Sequence, residues 1–118
     1  MSNVYDLTGS DKLHQGSDEY FDLVVKSDGI TPDNLTGYTA RMMIRQSIRD
    51  DTILDELTTE NGRIEITPLD GKLRVLFPSL VTSGYDFTRG VYDLELVSGD
   101  VVIRILQGEV EVDLEVTR

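Results

Sequence analysis

His14 is the only histidine in a chain of 118 residues that has no cysteine, so a zinc centre or an imidazole-activated nucleophile would have to be built on that one ring. It sits between Gly9 and Gly16 in a polar stretch and reads as a surface residue. The other groups able to do chemistry are carboxylates, with 22 Asp and Glu against 11 Lys and Arg. Calcium loops need a regular series of oxygen ligands that closes on a bidentate Glu, and neither Ser27-Asp28-Gly29 nor Asp50-Asp51 opens such a series. Glycoside hydrolysis needs two carboxylates across a cleft, for which so small a domain has little room. The glycine-rich dinucleotide and phosphate-loop patterns are absent. Ser79, Ser83 and Ser98 fall at caps or turns, where hydrogen bonding to the backbone accounts for them. These residues assign no catalytic group, no cofactor and no metal ligand, and the chain is expected not to be an enzyme.

The elements that carry these residues are strands. From Gly90 to Leu96, Tyr92, Leu94 and Leu96 alternate with Asp93 and Glu95. After a Ser98-Gly99-Asp100 turn come Val101 to Leu106, then Gln107-Gly108, then Glu109 to Val116 with Val110, Val112, Leu114 and Val116 alternating with acids. Period two over such runs predicts three antiparallel strands, each with one buried face. Earlier, Phe21, Leu23 and Val25 form a half-buried strand that stops at Asp28-Gly29. Pro32 makes Ile30 to Asn34 a connector. Tyr38, Ala40, Met42 and Ile44 face inward against Thr39, Arg41, Met43 and Arg45, and Ile53 to Leu57 adds a short edge strand. Arg63 to Thr67 and Lys72 to Phe77 flank Pro68-Leu69-Asp70-Gly71 as a hairpin. Ser79 to Ser83 is expected to make one helical turn capped by Ser79. Residues 1–17 hold one apolar group, Val4-Tyr5-Asp6-Leu7, and are expected to be a free N-terminal arm. Residues 18–118 then form an all-β, antiparallel two-sheet sandwich of immunoglobulin-like type with seven or eight strands.

Charge narrows the partners. A net charge of -11 repels phosphate backbones, which argues against nucleic acid. No apolar run approaches the roughly 20 residues of a membrane span, and Met1 to Asp6 lacks the pattern of a secretion signal. Arg41 and Arg45 share the outward face of one strand, where they either bind a partner or pair across strands with acids such as Asp93 and Glu95. Glu109, Glu111, Asp113 and Glu115 form an acidic row whose members repel one another; they either blunt a sheet edge or meet basic residues of a neighbouring subunit.

The segments Leu35-Thr36-Gly37-Tyr38-Thr39-Ala40-Arg41 and Tyr92-Asp93-Leu94-Glu95-Leu96 carry a resemblance. They stand in one order with His14-Gln15-Gly16, Asp28-Gly29, the Gly62 to Phe77 hairpin and the closing Val102 to Gly108. Over roughly residues 13–118 the chain resembles the small β-sandwich structural proteins of tailed phages and prophages, and is similar to the N-terminal domain of phage upper baseplate proteins. The resemblance implies a virion component, made in the host cytoplasm, that docks on other virion structural proteins as a homo-oligomeric ring or symmetric assembly at the tail, baseplate or neck. Its contacts would then come from Val4, Tyr5 and Leu7 of the arm, the acidic row, and Arg41 and Arg45. Upper baseplate proteins carry a long C-terminal extension, and this sequence stops at Arg118, so an adaptor or decoration subunit fits as well as a baseplate hub. The competing expectation is a carbohydrate- or calcium-binding sandwich module, which usually displays exposed aromatics or a carboxylate cage.

Overall fold

The computed structural model describes residues 3–114 and is all-β, with two sheets around one core. The larger sheet is built on β4 (Thr39–Arg45), β5 (Ile53–Thr58), β8 (Arg89–Ser98) and β9 (Val101–Asp113), in the order β9-β8-β4-β5. Two short pieces, β1 (Asn3–Val4) and β2 (Leu13–His14), lie along the outer side of β9. The smaller sheet has the order β3-β7-β6, from β3 (Glu19–Val24), β6 (Ile64–Thr67) and β7 (Lys72–Phe77).

Alternation decides which side chains meet between the sheets. Ala40, Met42 and Ile44 of β4 and Tyr92, Leu94 and Leu96 of β8 are buried, as are Leu73, Val75 and Phe77 of β7 facing them. Leu57, Ile64, Leu106, Val110 and Val112 belong to the same core. Burying a side chain of this size contributes about 1.5–3 kcal/mol, so the two-residue period is an energetic requirement as well as a pattern. A half-buried ion pair joins the sheets: Arg63, just before β6, donates to Asp55 of β5 at 2.8 and 3.2 Å and to the Leu76 carbonyl at 2.9 Å. The Tyr85 hydroxyl donates to the same carboxylate.

Four expectations change. The last two predicted strands are one: β9 runs 13 residues through Gln107-Gly108 without turning. Gly108 is there for room, because a Cβ at that position would collide with the Tyr5 carbonyl oxygen and come within 2.9 Å of Asp6 Oδ1. Secondly, the expected free arm is part of the sheet. Backbone bonds run from Tyr5 N to Gln107 O (2.9 Å), Leu7 N to Glu109 O (2.8 Å), Glu111 N to Leu7 O (2.8 Å) and Gln15 N to Asp113 O (2.9 Å). Leu7, at 3% exposure, and Leu13 are core residues. Thirdly, β1 and β2 run parallel to β9, so the sheet is mixed and not purely antiparallel, and the described residues form nine strands, not seven or eight. Finally, the helical turn α1 (Ser79–Thr82) has Pro78 at its N-cap, and Ser79 N donates to Asp18 Oδ1 at 2.6 Å. The cap is thus the carboxylate of Asp18, the residue before β3, brought beside α1 by the Glu19–Phe77 pairing of β3 with β7, which no local pattern announces.

Candidate docking surface

Three of the nine predicted contact residues, Val4, Arg45 and Glu109, meet on the outward face of the larger sheet. Because Ala40, Met42 and Ile44 turn inward, Arg41, Met43 and Arg45 of β4 turn outward, and Val91 and Asp93 of β8 lie directly across from Arg45 and Met43. Arg104 of β9 reaches Asp93 at 3.6 Å. Together with Val4, Asp6, Ile48, Gln107 and Glu109, these residues line a trough of about 510 Å³. Val4 is 67% exposed at its rim, and Ile48 is strongly exposed on the loop after β4. The trough therefore offers apolar side chains flanked by both signs of charge.

The structure brings Val4, Arg45 and Glu109 together on that trough. Arg45 donates Nη1 to the Asp50 carbonyl at 3.0 Å, which holds its guanidinium over the sheet. Arg41 lies farther along the same face and takes the cross-strand alternative, donating Nε to Glu95 Oε1 at 2.9 Å. Tyr5 is partly exposed but turns its ring toward Phe21 of β3, centroids 5.9 Å apart. Leu7 is buried among core residues and presents no surface.

The acidic row is less idle than its sequence implies. Arg89 lies 4.0 Å from Glu109 and 3.7 Å from Glu111, Glu111 also accepts from Gly9 N at 3.1 Å, and Lys12 is 3.8 Å from Asp113. These exposed pairs each contribute about 0–1 kcal/mol, enough to offset the row's self-repulsion but not to anchor a strand. Glu115 lies outside the described residues. Met43, Ile48, Val91 and Arg104 also line the trough without having been singled out in the sequence; the outward phase of Met43 and Val91 was readable, but nothing local marks that they share a concavity.

Elsewhere polar side chains pair with one another. His14 Nδ1 pairs with Glu19 Oε1 at 2.6 Å on the surface. Arg74 grips Asp22 at 2.8 and 3.0 Å, and this hydrogen bond holds the Asp22 carboxyl below its usual range. Burial first, and then the Asp55 carboxylate, pushes the Tyr85 phenol well up; burial does the same to Tyr92, whose hydroxyl donates to the Tyr5 carbonyl. Among the described residues no group of three or more His, Asp or Glu side chains is placed to hold a metal ion. No helix among them is long and apolar enough to cross a membrane.

No family model matches the chain, and no curated protein does. Among solved structures it is similar to the "N-terminal domain of phage TP901-1 ORF48", at 11% sequence identity, over 95% of this chain and 94% of that one, with a TM-score of 0.50. At that identity the likeness is one of fold, and it spans nearly the whole of both chains.

Proposed function

We propose that the protein is a non-enzymatic structural subunit of a tailed-bacteriophage particle. It docks on other virion proteins of the tail, baseplate or neck as an adaptor or decoration subunit, in a symmetric assembly of several copies. The observation that carries this reading is the fold likeness to a phage protein domain over 95% of the chain. The trough supports it physically. Protein interfaces combine an apolar centre with a charged rim, and Val4, Met43, Ile48 and Val91 ringed by Arg45, Asp93, Arg104 and Glu109 have that composition.

Incorporation tests it. Particles carrying the protein are purified and probed for it, and light scattering follows its mass over a concentration series. The expected result is a stoichiometric virion component or a discrete oligomer, and Met43→Asp with Arg104→Glu should reduce incorporation by about tenfold while leaving the circular dichroism unchanged. A chain that stays monomeric at every concentration and is absent from particles overturns the proposal. A melting temperature raised by calcium or by glycans would replace it with the binding-module reading.

A further inference from the structure

Among the described residues, the seam between β9 and β3 is covered from Leu106 onward and uncovered beside Val101–Arg104. In the covered part, residues 3–14 run beside β9 from Leu106 onward and reach across to β3 through the Tyr5 ring on Phe21. In the uncovered part the outer side of Val101–Arg104 has no strand beside it among the described residues, because the parallel ladder begins only at Leu106. A groove of about 780 Å³ lies there, lined by the apolar Leu23, Val25, Leu35 and Ile103 and by the charged Lys26 and Asp33, among others. The edge itself is apolar and exposed: Val101 is 52%, Val102 48% and Ile103 38% accessible. Natural edges of this length are usually blunted by Lys, Pro or an inward charge. Here the only charge is Arg104, already turned to Asp93 on the opposite face.

We propose that this edge and groove accept an extended strand from a partner protein, running parallel to β9 in line with β1. The occupant's chemistry follows from what fills the covered part of the seam. There, an extended parallel segment bonds its backbone to β9, sets the Tyr5 ring beside Phe21 of β3 and buries Leu7 in the core. A strand that continues this ladder needs apolar side chains at alternate positions to fill the groove, with backbone bonds supplying affinity and the pockets supplying specificity. Against a chain of net charge -11, it also carries net positive charge. The surface is separate from the trough on the sheet's outer face, so the inference stands whatever the outcome of the incorporation experiment.

A probe strand, Lys-Val-Thr-Val-Thr-Val-Lys, is fused ahead of Met1 and compared with a Gly-Ser extension of equal length and with the same strand ended by Glu. Hydrogen exchange of the Val101–Arg104 amides is read alongside the melting temperature. The lysine-ended strand is expected to slow those amides about tenfold and to raise the melting temperature by about 4 °C over the Gly-Ser chain. The Glu-ended strand should do less. Ile103→Asp in the tailed chain should abolish the gain, while the same variant without a tail shows that the domain still folds. Equal exchange in the Lys-Val and Gly-Ser chains overturns the proposal. So does protection already present in the untailed protein that grows with its concentration, which would assign the edge to a second copy; equal protection by the Glu-ended strand overturns the charge requirement.

Discussion

Asp55 receives three donors, two from Arg63 and one from the Tyr85 hydroxyl, and so one carboxylate ties β5 to the smaller sheet and to the segment before β8. Truncating one partner of so enclosed a pair costs about 3 kcal/mol, mostly because the other charge is left buried alone. The tyrosines make the protein sensitive at the alkaline end. In the folded state burial holds Tyr85 and Tyr92 protonated well above the ordinary value of 10.0, whereas unfolding exposes both. Above pH 10 the unfolded chain therefore binds fewer protons than the folded one, and stability falls as pH rises; below pH 10 their contribution is complete. In a pH titration, the phenolate absorbance of these two residues should appear together with loss of the far-ultraviolet dichroism. The double variant Tyr85→Phe with Tyr92→Phe should lose that linked step, and its persistence would show that other groups drive alkaline unfolding.

At the scale of the element, the N-terminal segment behaves as a strap laid along β9. It is pinned by the parallel ladder, by Glu109 N donating to Asp6 Oδ1 at 2.9 Å, and at its far end by Gln15 Nε2 to the Tyr85 carbonyl at 2.8 Å. Gly16 N donates to Thr82 Oγ1 at 3.1 Å, and that hydroxyl donates onward to the Ser17 carbonyl at 2.9 Å, seating the turn against α1. Gly108 is the point of closest approach between strap and sheet. Gly108→Ala forces Tyr5 away from β9 and should cost about 1–3 kcal/mol in urea unfolding. Exchange of the Tyr5 and Leu7 amides should quicken while the β7 amides keep their protection relative to global unfolding. A variant with unchanged stability would mean that the strap is not held where the structure puts it.

For the whole molecule, the unbalanced charge of -11 opposes compaction, and the eight Lys or Arg ion pairs of the described residues do not cancel it. Raising ionic strength from about 0.01 M to about 0.15 M shortens the screening length from about 30 to about 8 Å, which weakens long-range repulsion more than contact pairs. The melting temperature should rise over that range; a fall would mean that the pairs outweigh the net charge. The same balance bears on what was readable without a structure. The positions of β3 to β8, the Asp70-Gly71 hairpin and the inward residues of β4, β7 and β8 were legible in the sequence, because side-chain alternation and turn chemistry act between residues close in the chain. Gln107-Gly108 looked like a turn, since a glycine that makes room for another backbone cannot be told locally from one that bends its own. The destination of residues 3–14, the cations that meet Glu109, Glu111 and Asp113, and the gathering of Val4, Arg45 and Glu109 on one trough depend on contacts across most of the chain's length. The sequence by itself determined an acidic chain of alternating strands separated by glycine and proline turns. Only the tertiary structure decided that residues 3–14 lie along β9 from Leu106 onward, because pairing between distant strands is chosen by burial of the whole core and not by any local preference.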